Sequence, residues 1–199
     1  MYSQRDEEEV ILKHLGPTGR FCDIGAYSFT SFSNTRALAE RGWSGTLVEP
    51  CPDACNTLIQ QTAGFKDIEI VNAVIVPQYY QAVGGLVEFH ASPNALSTVQ
   101  EKHMKLWAEH PGVSFRRIWS PCITIHQLLR QLPGPYSFVT IDAEGVSFDI
   151  LQCMDLKEMG CEVVCIEIDQ YETAIRDHLL CRGYSVIHKT AENIIAKRS

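Results

Sequence analysis

The sequence predicts an α/β fold: a doubly wound, mostly parallel sheet that finishes in an antiparallel pair of strands. Three observations carry this. Short apolar runs rich in β-branched residues alternate with stretches of helical periodicity over most of the chain. Residues 20–50 contain a strand, a glycine turn, a helical stretch and a second strand tipped by an acid, the opening unit of a nucleotide-binding sheet. Finally, Tyr184 to His188 and Asn193 to Ala196 are two β runs with no helix between them.

In the opening unit the run Phe21-Cys22-Asp23-Ile24 stops at Gly25-Ala26. Gly25 lets the chain turn sharply and brings backbone N–H groups toward a ligand. A helix bearing Phe32, Leu38 and Ala39 is expected to start at this turn, so that its free N–H groups face the same pocket. Asp23 is delivered to the rim. The second run, Thr46-Leu47-Val48, ends on Glu49, a carboxylate able to accept from both hydroxyls of a ribose and hostile to a 2′-phosphate. The turn lacks G-x-G-x-x-G, so there is little bare backbone for a pyrophosphate.

The remaining elements follow in order. A helix over Glu8 to Leu15 precedes the first strand and is ended by Gly16-Pro17. Pro50-Cys51-Pro52 opens a helix from about Asp53 to Thr62, and Ile68 to Val76 is the third strand with its continuation. Asn72 in that run is placed either to meet an adenine edge or simply to satisfy a strand end. Leu86 to His90 is expected to pair with the preceding run as a hairpin. Gln100 to His110 reads as a polar amphipathic helix within an insertion suited to contacting a substrate. Its neighbourhood carries His90, His103 and His110, which are not at ligand spacing and read as surface residues. Ser114 to Ile125 is β-like, and Thr124 caps a helix over Ile125 to Gln131. Then come the strand Ser137 to Ile141, a helix burying Phe148, Ile150, Leu151 and Met154, the strand Cys161 to Ile168, and a helix from Tyr171 to Cys181.

A chain of 199 residues without repeat, linker or low-complexity segment is expected to form one domain, 1–199. The net charge of -7 disfavours non-specific binding to nucleic acid or anionic lipid, and Arg116-Arg117 reads as a solvated face. No apolar run approaches the roughly 18 residues of a spanning helix, so a cytoplasmic location is expected. The 8 cysteines lack the C-x2-C pairs of common zinc sites and read as reduced thiols, with Cys22, Cys153 and Cys165 in core-like stretches.

The second feature of chemical interest is Asp142-Ala143-Glu144-Gly145, just past a strand. Alternate residues of an extended chain share a face, so both carboxylates can meet one crevice. There they can take a proton from a hydroxyl, hold a hard divalent cation such as Mg²⁺, or orient hydroxyls. The alternative is a loop with capping acids.

Taken in order, D-I-G-A, S-N-T, R-G-W-S-G-T-L-V-E-P, I-D-A-E-G-V-S-F-D-I-L, I-E-I and a late G-Y resemble the FkbM-type methyltransferases that use S-adenosylmethionine (SAM). The likeness runs from about Phe21 to Lys197 and implies a Rossmann-like class I methyltransferase fold. It implies that Asp23, Gly25 and Ala26 lie beside the methionine portion of SAM, Glu49 on its ribose, and Asp142 and Glu144 at the reaction end. The activity implied is O-methylation of a small-molecule or sugar hydroxyl, and the net charge speaks against nucleic acid as partner. The family pattern D-I-G-A-N-D-G is broken here by Tyr27-Ser28-Phe29. Phe29 would either intrude on the methionine pocket or wall it. That break keeps a catalytically degenerate SAM- or nucleotide-binding module in view. An NAD-dependent dehydrogenase is favoured by Glu49 and opposed by the missing glycines.

Overall fold

The computed structural model describes residues 1–80 and 82–199. The chain begins α1 (Glu7–His14), β1 (Arg20–Ile24), α2 (Arg36–Glu40), β2 (Ser44–Val48), α3 (Pro52–Thr62), β3 (Ile68–Val71) and β4 (Val74–Ile75). It continues β5 (Leu86–Ala91), α4 (Glu101–Ala108), β6 (Arg116–Ile123), α5 (Ile125–Gln131) and β7 (Phe138–Ile141). It closes α6 (Ser147–Gln152), β8 (Val163–Glu167), α7 (Glu172–Cys181), β9 (Tyr184–Lys189) and β10 (Asn193–Arg198).

Seven strands form one sheet in the order β3-β2-β1-β7-β8-β10-β9. The pairs from β3 to β8 are parallel, and β10 runs antiparallel to both β8 and β9. This is the doubly wound sheet with its terminal antiparallel pair. The central strands are buried on both faces, which explains why they read as unbroken apolar runs rather than alternations. Side-chain alternation then divides them: Cys22 and Ile24 belong to one core with Val139, Ile141, Val164 and Ile166. Phe21 belongs to the other with Leu47, Phe138, Val163 and Cys165.

Local rules account for several boundaries. Pro52 opens α3, and α5 has a full capping box between Thr124 and Gln127. In α1, Glu7, Glu8 and Glu9 fill the first turn, with Lys13 and His14 in the last, matching the helix dipole. Glu7 is fully buried and accepts hydrogen bonds from Thr190 and Asn193, which ties this helix to the β10 end of the sheet.

Three expectations are corrected. No helix begins at Gly25: residues 26–35 are irregular, α2 starts only at Arg36, and Phe32 lies outside it, 58% exposed. The Ser28 and Ser33 hydroxyls accept from backbone N–H groups two and three residues on, local bonds that compete with helix formation. The Leu86 strand does not form a hairpin with the preceding run. It pairs antiparallel with β6, while β4 pairs parallel on the other side of β6, giving a separate three-stranded sheet β4-β6-β5. His90 and His103 are not surface residues; His90 is 7% exposed and the His103 side chain 14%.

Arg116 and Arg117 do lie exposed, paired with Asp53 and Glu88. All eight cysteines are free thiols, with Cys22 and Cys165 buried and Cys153 half-buried. No helix among the described residues is long and apolar enough to cross a membrane.

Candidate active site

An open cavity lies over the carboxyl ends of β1, β2 and β7. Its floor is the Gly25–Tyr27 turn, one side is Glu49 and Pro50, and the far end is Asp142–Glu144. Ala73 to Ile75, Phe89 and the segment Ser97 to Val99 from the insertion complete it. Strand order explains the meeting: β1 lies between β2 and β7, so their carboxyl-terminal residues emerge side by side.

The glycine turn has a different physical role from the one expected. Gly25 has φ 86, and a Cβ there would overlap the carbonyl oxygen of Asp142. Its freedom serves the contact between two loops of the protein. Nor does the turn present free N–H groups: those of Gly25 and Ala26 both donate to the Val48 carbonyl, and that of Tyr27 donates to Glu49 Oε2 at 2.9 Å. Glu49 Oε1 accepts from Cys51 N–H at 2.7 Å. The carboxylate is thus fixed, and each oxygen keeps a lone pair for a further donor. Burial pushes its pKa up to about 7, against the two N–H groups that lower it.

Asp23 lies on the opposite face of β1 from the cavity-lining Ile24. It is 6% exposed and accepts from Thr35 Oγ1 at 2.7 Å, and burial raises its pKa to about 6. It is not among the cavity's lining residues. Asn72 is likewise outside the lining; its amide donates to the carbonyls of Glu49 and Pro50, clamping the segment beyond β2. Gly25, Ala26, Glu49, Asp142 and Glu144 all line the cavity.

Phe29 neither plugs the cavity nor walls it. It is buried in the second core, edge-on to Phe65 at 5.3 Å, with the Arg36 guanidinium above it. The aromatic residues that reach the cavity from this loop are Tyr27 and Phe32.

At the far end, Ile141 pairs with Ile166, so Asp142 and Glu167 leave adjacent parallel strands together. Asp142, Glu144 and Glu167 offer carboxylate oxygens within 4.8 Å of one another, close enough to share one hard cation. Solvent reaches Asp142 through the cavity, but protein crowds its other sides. That crowding, followed by the Glu144 charge, raises its pKa, and the opening to solvent tempers the effect. Burial and then Asp142 raise that of Glu167. Glu167 Oε2 also accepts from Glu144 N–H at 3.2 Å and from Ser147 Oγ at 2.9 Å, while Asp169 accepts from Gly145 N–H at 3.2 Å.

Spacing alone did not reveal Glu167, Asp169 or His103 as members of this site. Glu167 interrupts an otherwise apolar run at a strand end, as Asp142 follows one, and that parallel was the available signal. His103 approaches Glu144, 2.9 Å from Nε2 to Oε2, with the ring N–H aimed off the oxygen so that no straight hydrogen bond forms. Tyr27, Phe32, Glu144 and Asp169 all have positive φ, at 41°, 60°, 41° and 46°, and they surround this site. Such backbone costs of order 1–3 kcal/mol each and concentrates where function constrains the chain.

Comparison with solved structures finds methyltransferases. Precorrin-6y C5,15-methyltransferase from Geobacter metallireducens matches with TM-score 0.54 at 13% identity, covering 100% of this chain and 90% of that one. M. capricolum TrmK, solved with S-adenosylhomocysteine, matches with TM-score 0.52 at 11% identity, covering 100% and 70%. An rRNA methylase from Streptococcus thermophilus matches with TM-score 0.51 at 7% identity, covering 96% and 93%. At these identities the likeness establishes the fold. No curated protein matches the sequence. The model of the methyltransferase FkbM domain matches residues 23–186, and with that span covered the chain belongs to the FkbM methyltransferase family.

Proposed function

We propose that this chain binds SAM and methylates a hydroxyl oxygen of a small molecule or carbohydrate. The observation that carries the reading is one cavity running from the Glu49 carboxylate to the Asp142–Glu144 carboxylates. Glu49 has two spare lone pairs aimed by its backbone donors, as ribose hydroxyls require. SAM, when bound, supplies the methyl group as a cation at sulfur. The turn suits a ligand without a phosphate there, because Gly25, Ala26 and Tyr27 N–H groups are already occupied. That same occupancy argues against the dehydrogenase alternative, whose pyrophosphate needs such donors.

The protein's part is placement and proton handling. Asp142 and Glu144 sit where an acceptor hydroxyl would enter, and a carboxyl group with a raised pKa is suited to take its proton near neutral pH. Collinear positioning of acceptor and methyl accounts for most of the expected acceleration. Of the two features that favoured a degenerate module, Phe29 and the missing second glycine, Phe29 is buried away from the cavity.

The test has two stages. Calorimetric titration with SAM and S-adenosylhomocysteine should give saturable binding that Glu49→Gln weakens. Transfer of a labelled methyl group is then screened over polyols, sugars and polyketide alcohols. Binding without transfer to any acceptor class would leave the non-catalytic module; no binding at all would remove the reading.

A further inference from the structure

The insertion between β3 and β7 reaches back to the carboxylate end of the cavity through three side chains of one short stretch. Thr98 Oγ1 donates to the Glu144 carbonyl at 2.6 Å, and Gln100 Nε2 donates to the Gly145 carbonyl at 2.7 Å. These two grip the backbone and are indifferent to the side chain at 144. His103, at the start of α4, is the one that meets the Glu144 carboxylate itself, and Nε2 lies 2.9 Å from Oε2. Both side chains are largely enclosed, 14% and 16% exposed, so this is not a solvated surface pair. Among the described residues Nε2 has no other partner, and its Nδ1 lies 3.2 Å from where a Cβ on Gly145 would stand.

From this geometry we infer that His103 is a positioning residue for methyl transfer, holding the Glu144 carboxylate at the edge of the cavity where a sulfonium methyl would lie. The inference rests on the proposed SAM reading. Glu144 needs such a restraint. Its backbone is held in the left-handed region, its N–H is taken by Glu167, and the Asp142 and Glu167 carboxylates crowd it. Released from His103, a carboxylate repelled by those two acids would rotate away from them. Asp169 is the remaining charged group facing this corner, and it is engaged by Gly145 N–H.

The test uses two probes that differ by one charge at sulfur, SAM and S-adenosylhomocysteine, and needs no acceptor. A fixed anion near the sulfonium sets the ratio of the two affinities, whereas a purely structural anchor would alter both affinities together. In the full chain, His103→Ala should change that ratio by roughly threefold to tenfold, the span of one polar contact. His103→Gln, which keeps a side-chain donor, should restore most of it. In a Glu144→Gln background, His103→Ala should no longer matter. A ratio unmoved by His103→Ala, or moved equally in both backgrounds, overturns the inference while leaving SAM binding intact. Wild-type protein that binds neither probe overturns the proposed function and the inference with it. Should His103→Ala not fold, His103→Phe keeps the ring volume without the donor and carries the same comparison.

Discussion

Gly25 and Asp142 are in backbone contact: a single added carbon on Gly25 would occupy the space of the Asp142 carbonyl oxygen. The floor of the cavity and its far end therefore share a backbone contact, also tied by Asp142 N–H donating to the Ile24 carbonyl at 2.9 Å.

Gly25→Ala meets two penalties, a left-handed φ of 86° and a clash with backbone that cannot swing aside. A loss on the order of 3 kcal/mol is expected, and separation of the loops should abolish SAM binding. Thermal unfolding and titration check this. A variant matching wild type in both would show that the turn can yield.

The raised Glu49 pKa has a signed consequence. Its folded value, about 7, exceeds that of the unfolded chain, so between about pH 4.5 and 7 the folded state holds the extra proton. Stability from this group therefore falls as pH rises through that window and levels off above it. Each pKa unit is worth about 1.4 kcal/mol, giving a change of roughly 3 kcal/mol. Asp23, with a folded value of about 6, adds a fall of the same sign that ends earlier. Binding should run the other way, because ribose hydroxyls are best accepted by the ionised carboxylate. Unfolding and SAM titrations from pH 5 to 8.5 test both trends, and Glu49→Gln should flatten the component above pH 6.

The parts of this site that were legible in the sequence are those set by local rules. Strands buried on both faces are continuous apolar runs, and Glu49, Asp142 and Glu144 follow such runs directly, so their place at the carboxyl edge could be read. Glu167 and His103 come from elsewhere in the chain, and only the register of Ile141 with Ile166 and the docking of α4 bring them in. The β5–β6 pairing was hidden for the same reason: an intervening helix separates two strands that each look ready for a nearer partner. The direction of Phe29 depended on a loop conformation that no periodicity encodes.

Phe29 and Phe32 should behave oppositely when truncated. Phe29 is 1% exposed within the second core, so Phe29→Ala should cost about 3–5 kcal/mol yet leave SAM affinity of the folded protein unchanged. Phe32 is 58% exposed, lines the cavity and has φ 60, so Phe32→Gly should leave stability level or raise it by about 1 kcal/mol. Its effect should fall on ligand affinity. Melting curves with and without SAM separate the two, and a weakened SAM affinity in folded Phe29→Ala would contradict the packing described.

The carboxylates at the far end oppose folding. Burial and then the Glu144 charge raise the pKa of Asp142, and burial and then the Asp142 charge raise that of Glu167. Like charges that resist ionisation are a source of instability above the usual carboxylate range. Asp142→Asn removes one charge while keeping the side-chain shape and should raise stability by about 1–2 kcal/mol at pH 8, with a smaller gain at pH 5 where protons already relieve the repulsion. The same substitution takes away the proposed proton acceptor, so methyl transfer should drop by about 100-fold or more with SAM binding kept. Mg²⁺ offers a further discrimination: an ion held by Asp142, Glu144 and Glu167 would raise the melting temperature of the wild type and not of Asp142→Asn. An Asp142→Asn protein less stable than wild type at pH 8 without added metal would mean that the charge is compensated in place, and the cluster would lose its reading as strain retained for chemistry.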